Sequence, residues 1–146
     1  MYKSLLLPTD GSEAAEVALK EGLRLAKALG ARVSFLHALE PIGPRLLLGP
    51  ENLPYYQALL EDLRQAGLKA LDQATRLAEE MGVPFAAQLL EGRAAEVILK
   101  EAAHHDLIVM GSHGRTGLDR VLLGSVTLEV VRKSPKPVLV VPYRKV

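Results

Sequence analysis

Residues 107–126 read LIVMGSHGRTGLDRVLLGSV, an apolar run broken by glycine at 111, 114, 117 and 124. Leu107, Ile108 and Val109 suit a buried strand, and helical spacing resumes at Ser125. Glycine carries an entropic cost and is tolerated where φ must be positive or where something must come close to the main chain. The stretch is therefore a strand, a loosened turn and a helix start.

The same alternation extends in both directions. Lys3 to Leu7 is a short apolar run closed by Pro8, and residues 12–29 carry Ala15, Leu19, Gly22, Ala26 and Leu29 at helical spacing before Gly30 stops the helix. Arg32 to Leu39 (RVSFLHAL) suits a buried strand. Residues 40–54, EPIGPRLLLGPENLP, hold four prolines and two glycines and read as a loop. From Tyr55 to Met81, Leu59, Leu63, Ala66, Ala70, Ala74, Leu77 and Met81 recur every three or four residues, which describes one long amphipathic helix ended by Gly82. Strands follow at 84–90, 106–110 and 137–141, with helices at 94–103 and 125–133.

This βαβαβαβαβ order predicts an α/β fold: a five-stranded parallel sheet with right-handed crossovers and helices on both faces. In such sheets a ligand lies beyond the carboxyl ends of the strands, where neighbouring crossovers leave in opposite directions. With the strands wound 3-2-1-4-5, the turn PTDGS after strand one and the turn GSHGRTG after strand four face each other across that switch point.

Composition narrows the function classes. A chain of 146 residues is read as one domain, residues 1–146, able to bury a sizeable core. Eighteen basic and 17 acidic residues leave a net charge of +1, so nothing in the bulk charge favours nucleic acid or an anionic membrane. The absence of cysteine removes disulfides, thiolate nucleophiles and cysteine-based zinc sites, and fits a reducing cytoplasm. Three leucines before Pro8 are too few for a signal-peptide core or a membrane span, and the expected localisation is cytoplasmic.

Within the loosened turn, Gly111 and Gly114 allow the loop to curl with its amides inward, and Gly124-Ser125 opens the next helix with free NH groups and a hydroxyl. Such a helix start attracts phosphate. Arg115 and Arg120 can add charge-assisted contacts. The plainer alternative is a loop followed by a helix with Ser125 as its N-cap. No G-x-x-x-x-G-K-[ST] occurs, and no G-x-G-x-x-G follows the first strand, which argues against Walker-type ATPases and dinucleotide enzymes. Asp10 with Glu13 three residues on also fits a capping box, so Asp10 is a candidate cap of the first helix. His113 is a candidate phosphate donor or base. His104, His105 and Asp106 are adjacent and point different ways; the expectation is solvent-exposed histidines and no shared metal.

The spacing G-x2-G-x9-G-[ST] at Gly111, Gly114, Gly124 and Ser125, preceded by Met110 and joined to Pro8, Thr9 and Asp10, resembles the universal stress protein family, specifically its ATP-binding branch. The likeness runs through KSLLLPTDGSE, SFLHAL, HDLIVMGSHGRTGLDRVLLGSV and PVLVVP. It implies a Rossmann-like, adenine-nucleotide alpha-hydrolase-like fold and a dimer. It further implies that Pro8, Thr9 and Asp10 flank adenosine, with Asp10 near the ribose, and that Ala38 offers its backbone to the adenine edge. Met110 would pack near the base or sugar, while Gly111, Gly114, Gly124, Ser125 and Val126 would wrap the phosphates of ATP, ADP or AMP. Mg2+ would ride on the phosphates, with Ser125 or Asp10 as supplementary ligands.

The cradle comes without an obvious base, a P-loop lysine or a dedicated metal cluster, so the expectation is a nucleotide-dependent regulatory stress-response protein with little turnover and no catalytic residue. A slow ATPase or other adenine-nucleotide enzyme on the same fold is the alternative, and a nucleotide-free interaction module is the third reading. Val138 to Val141 is a continuous apolar run at a sheet edge, which invites a homodimer through that strand. The signal and the downstream protein partner are not written in the sequence.

Overall fold

The computed structural model describes residues 1–41, 49–113 and 123–143. Its strands are β1 (Ser4–Pro8), β2 (Arg32–Leu39), β3 (Phe85–Glu91), β4 (Leu107–Gly111) and β5 (Val138–Val141); its helices are α1 (Glu13–Leu29), α2 (Leu53–Met81), α3 (Ala94–Ala102) and α4 (Ser125–Lys133). Local chemistry fixes the helix ends. α1 begins where Ser12 Oγ accepts from the Ala15 NH at 3.1 Å, with Glu13 and Glu16 in the first turn and Lys27 in the last. It stops at Gly30, whose φ of 67° lets its NH reach back to the carbonyls of Ala26 and Lys27. Gly82, at φ 70°, ends α2 in the same manner.

The sheet is parallel throughout, in the order β3-β2-β1-β4-β5. Side chains alternate along each central strand and divide the core in two. Leu5, Leu7, Val33, Phe35 and Val109 pack with Leu19 and Leu23 of α1 and with Leu71, Ala74 and Ala78 of α2. Leu6, Leu36, Ile108 and Met110 pack with Ala95 and Ile98 of α3 and Val130 of α4. Each fully buried Leu, Val or Phe contributes about 1.5–3 kcal/mol. The central strands are therefore covered on both faces. β3 is different: Phe85, Ala86, Ala87 and Gln88 are exposed at the sheet edge.

α2 buries Gly67, Ala70, Leu71, Ala74 and Ala78, whereas Leu59, Leu63, Ala66, Leu77 and Met81 of the expected stripe are only half-buried. Leu77 and Met81 pack at the margin of the core, and length explains the shift in the first turns. Twenty-nine helical residues span about 43 Å, against about 23 Å for the seven residues of β3. The first turns of α2 overhang the carboxyl ends of the strands, and there Leu63 and Ala66 meet a cavity.

At the opposite end of the sheet, Asp106 Oδ2 accepts from the Lys3 and Ser4 NH groups at 2.8 and 3.0 Å, which holds its carboxyl below the usual range. His105 is half-buried, not exposed as expected, and its Nδ1 shares a 2.7 Å hydrogen bond with Ser4 Oγ. Desolvation pushes the His105 ring below its ordinary pKa. His104 is exposed. Among the described residues, no group of three metal-ligating side chains comes together.

Candidate nucleotide cleft

A cavity of about 430 Å3 opens beyond the carboxyl ends of the strands, where β1 and β4 lie side by side. That is the crossover point of the winding, since α1 covers one face of the sheet and α3 and α4 the other. Its size is that of a small-molecule site. The end of β1 supplies Pro8, Thr9 and Asp10, and β2 supplies Ala38. Met110 and Gly111 come from β4, and Gly124, Ser125 and Val126 from the start of α4. Nine of the eleven residues singled out in the sequence thus line one cavity. Gly114 and Arg115 lie outside the described residues, as do Arg120 and residues 42–48 of the expected loop.

The turn after β1 is built from its own side chains. The Thr9 NH donates to the Leu36 carbonyl at 2.9 Å, and Thr9 Oγ1 accepts from the Gly11 NH at 3.1 Å. Gly11 sits at φ 81°, a conformation that favours glycine. Asp10 Oδ1 accepts from the Ser12 NH at 2.9 Å. This corrects the capping-box reading: Asp10 organises the turn ahead of α1, while Ser12 is the N-cap.

The second turn answers the question its glycines pose. Neither Gly111 nor Gly124 has positive φ. A Cβ at Gly111 would lie 3.1 Å from the Ala14 carbonyl oxygen, and one at Gly124 would lie 3.1 Å from His113 Cα. What comes close to these glycines is the protein's own backbone, so that α1 and the two sides of the β4–α4 turn draw together around the cavity. The Gly124 NH is used within the turn, donating to the Ser112 carbonyl at 2.7 Å. The donors left for an anion therefore begin at Ser125, one residue later than expected. Gly124, not Ser125, occupies the N-cap, and no side chain caps α4. Thr127 is buried and donates from Oγ1 to the Gly111 carbonyl at 2.8 Å, fastening the helix to the end of β4.

Other residues complete the rim. Glu40 Oε1 accepts from the Ala94 NH at 3.0 Å and so caps α3, whose own N-cap Arg93 has no acceptor to offer. Arg93 instead forms a fork with Glu129 of α4, at 2.8 and 2.6 Å. The hydrogen bond from Arg93 holds the Glu129 carboxyl down at about 2, and Glu129 raises Arg93 in turn. His113 lines the cavity, shares a 3.0 Å hydrogen bond with Ser112 Oγ and meets the Tyr143 ring edge-on at 5.9 Å. Tyr143 continues to α1, donating to Glu13 Oε2 at 2.6 Å. Glu40, Leu63, Ala66 and Ala94 also line the cavity, although in the sequence Leu63, Ala66 and Ala94 read only as helix positions and Glu40 as the start of a loop. The Glu40–Ala94 bond spans 54 positions and has no local signature.

Together these features define a doubly wound α/β protein with a cleft of small-molecule size at its switch point. Residues 1–142 match the universal stress protein family. A universal stress protein of Methanocaldococcus jannaschii is 38% identical over 99% of this chain and 85% of its own length. The solved structure of universal stress protein UspA from Lactobacillus plantarum superposes with a TM-score of 0.83 at 26% identity, covering 96% of this chain and 97% of that one. A universal stress protein crystallised in complex with cAMP has a TM-score of 0.67 at 25% identity, with 97% of each chain covered. The chain belongs to the universal stress protein family.

Proposed function

We propose that this chain is an ATP-binding regulatory protein of the stress response, with little or no turnover of its nucleotide. The observation that carries the reading is the convergence of the Pro8–Asp10 turn, Ala38, and the uncapped start of α4 on one cavity. The related protein that holds cAMP lends support to an adenine-nucleotide ligand. The donor set fits. NH groups at Ser125 and Val126 suit phosphate oxygens, helped by the α4 dipole. Thr9, Asp10 and Ala38 suit a nucleoside with hydroxyls and a polar base edge. Mg2+ belongs on the phosphates, with Ser125 or Asp10 as a supplementary ligand, because three metal-ligating side chains do not gather among the described residues. When bound, the ion neutralises phosphate charge that the cleft itself meets mainly with dipoles.

Regulation is favoured over hydrolysis because, among the described residues, the cleft holds an anion cradle without an assembled set for activating water. His113, the candidate base, already shares its Nδ1 with Ser112. Calorimetry of the purified protein with Mg-ATP is expected to show saturable binding, and turnover well below about 1 per second. Heat-free titrations would remove the binding claim. Turnover in the ordinary enzyme range would replace regulation with catalysis.

The reading includes a homodimer formed through β5 in the cytoplasm. Leu139 on that edge strand is exposed, as are Leu128 and Val131 on the adjoining α4. An apolar edge of this kind is a liability unless covered, and twofold pairing covers it. Light scattering at micromolar concentration is expected to give twice the chain mass; a monomer mass overturns the pairing. No described helix is long and apolar enough to cross a membrane.

A further inference from the structure

His37, near the end of β2, is 8% exposed and lines the cleft. Its Nδ1 lies 2.9 Å from the Thr9 carbonyl oxygen. A carbonyl only accepts, so Nδ1 carries the proton, and in the neutral ring Nε2 is a lone-pair acceptor. Nε2 takes no hydrogen bond from a described residue. Among the described residues, no fully buried polar side-chain atom lacks a partner. Nε2 must therefore be reachable from outside the protein, and the space next to this otherwise buried ring is the cleft.

Gly67 bears on the same ring. Glycine in a helix interior costs about 1 kcal/mol relative to alanine, yet α2 keeps one in its middle. A Cβ there would lie 2.5 Å from His37 Cδ2 and 2.8 Å from Nε2. α2 gives up a side chain so that the Cδ2–Nε2 edge of the ring can occupy its position. The neighbouring cleft wall is Leu39, Leu63 and Ala66, apolar surface suited to a base or sugar. The anion-binding helix start belongs to α4, a different element.

We propose that His37 is a specificity-determining residue of the cleft, its ring locked in the Nδ1–H form by Thr9 and its Nε2 accepting a hydrogen bond from a hydroxyl or amino group of the nucleoside part of the ligand. This rests on the nucleotide reading and names a contact within it. His37→Asn separates the two roles of the ring, because the asparagine NH2 can still donate to the Thr9 carbonyl from the Nδ1 position while its carbonyl oxygen then falls at the Cδ2 position, short of the place of the Nε2 lone pair. His37→Phe keeps an aromatic ring and removes both. Adenosine and ATP are each expected to bind about 10-fold more weakly to both variants, the loss of one buried hydrogen bond.

Long-range 1H–15N spectra of the native chain supply a readout that stability alone would not move. The His37 ring, assigned by its disappearance in His37→Phe, is expected to show the Nδ1–H form before ligand is added. Its Nε2 resonance is expected to shift upfield on addition of adenosine, as an acceptor nitrogen does when it gains a donor. Native binding of adenosine with an unchanged Nε2 resonance, an Nε2–H ring, or native affinity in His37→Asn would each overturn the inference while leaving the nucleotide reading intact. A native chain that takes up neither adenosine nor ATP would defeat the nucleotide reading and this contact with it. The spectral test stands even where a variant fails to fold to the native yield, since the three other histidines can be assigned by their own substitutions.

Discussion

Gly124→Asp is expected to weaken ATP binding about 100-fold while changing the melting temperature of the free protein by only a few degrees. Gly124 sits at the N-cap of α4 with φ −64° and ψ 160°, angles that aspartate adopts readily. Aspartate at an N-cap is worth only a few tenths of a kcal/mol over glycine. Against that gain, its Cβ would press to 3.1 Å from His113 Cα. The two effects on the free protein oppose each other. In the complex they do not. The new carboxylate satisfies the NH groups at the start of α4 and brings a negative charge to where the phosphates would lie. Loss of two hydrogen bonds to a charged group, at about 1.5 kcal/mol each, corresponds to roughly a hundredfold in affinity. Thermal shifts with and without excess ATP, beside a direct titration, check the split. Unchanged ATP affinity in a folded variant would mean that the α4 start is not the phosphate site.

That variant also marks how far the cleft was legible in the sequence. Hydrophobic periodicity and glycine stops placed every described strand and α-helix within two residues of its observed ends, because both signals are local, while the short 3-10 turn Pro50–Asn52 lay unread inside the expected loop. The winding order put the β1 and β4 turns together, and Pro8, Thr9, Asp10, Ala38, Met110, Gly111, Gly124, Ser125 and Val126 do line one cavity. What failed to show was the use made of each group by partners distant in sequence. Gly111 and Gly124 read as openings for a ligand, yet their missing side chains first make room for Ala14 and His113. Asp10 reads in the sequence as the helix cap, and only the backbone path shows that Ser12 performs that role. His105 looked like a surface residue until Ser4, 101 positions away, took its Nδ1. The mid-helix glycine at 67 had no rationale until His37 from β2 came to rest against it.

Phe35→Ala is expected to remove about 3–5 kcal/mol from the unfolding free energy, the usual range for deleting a buried aromatic ring. Phe35 has no exposed surface. It lies on β2 between strands β1 and β3, packs in the core shared with α1 and α2, and meets the ring of Phe85 at 6.2 Å. Phe85→Ala is the control: that ring is 39% exposed, so its truncation should cost distinctly less. Urea titrations check both through a shift of midpoint at constant slope. Because side chains alternate along a strand, Phe35 and His37 share a face of β2, and both lie under α2. The cavity left by alanine loosens the support beneath the cleft without touching its donors, so ligand should still bind and restore stability. ATP at 100 times the native dissociation constant would return about 2.7 kcal/mol to Phe35→Ala and, at the same concentration, only about 0.4 kcal/mol to Gly124→Asp. The contrast separates damage to the core beneath the cleft from damage to the anion site itself. A Phe35→Ala variant that loses less than about 1 kcal/mol would mean that the α2 side of the sheet is not packed around this ring.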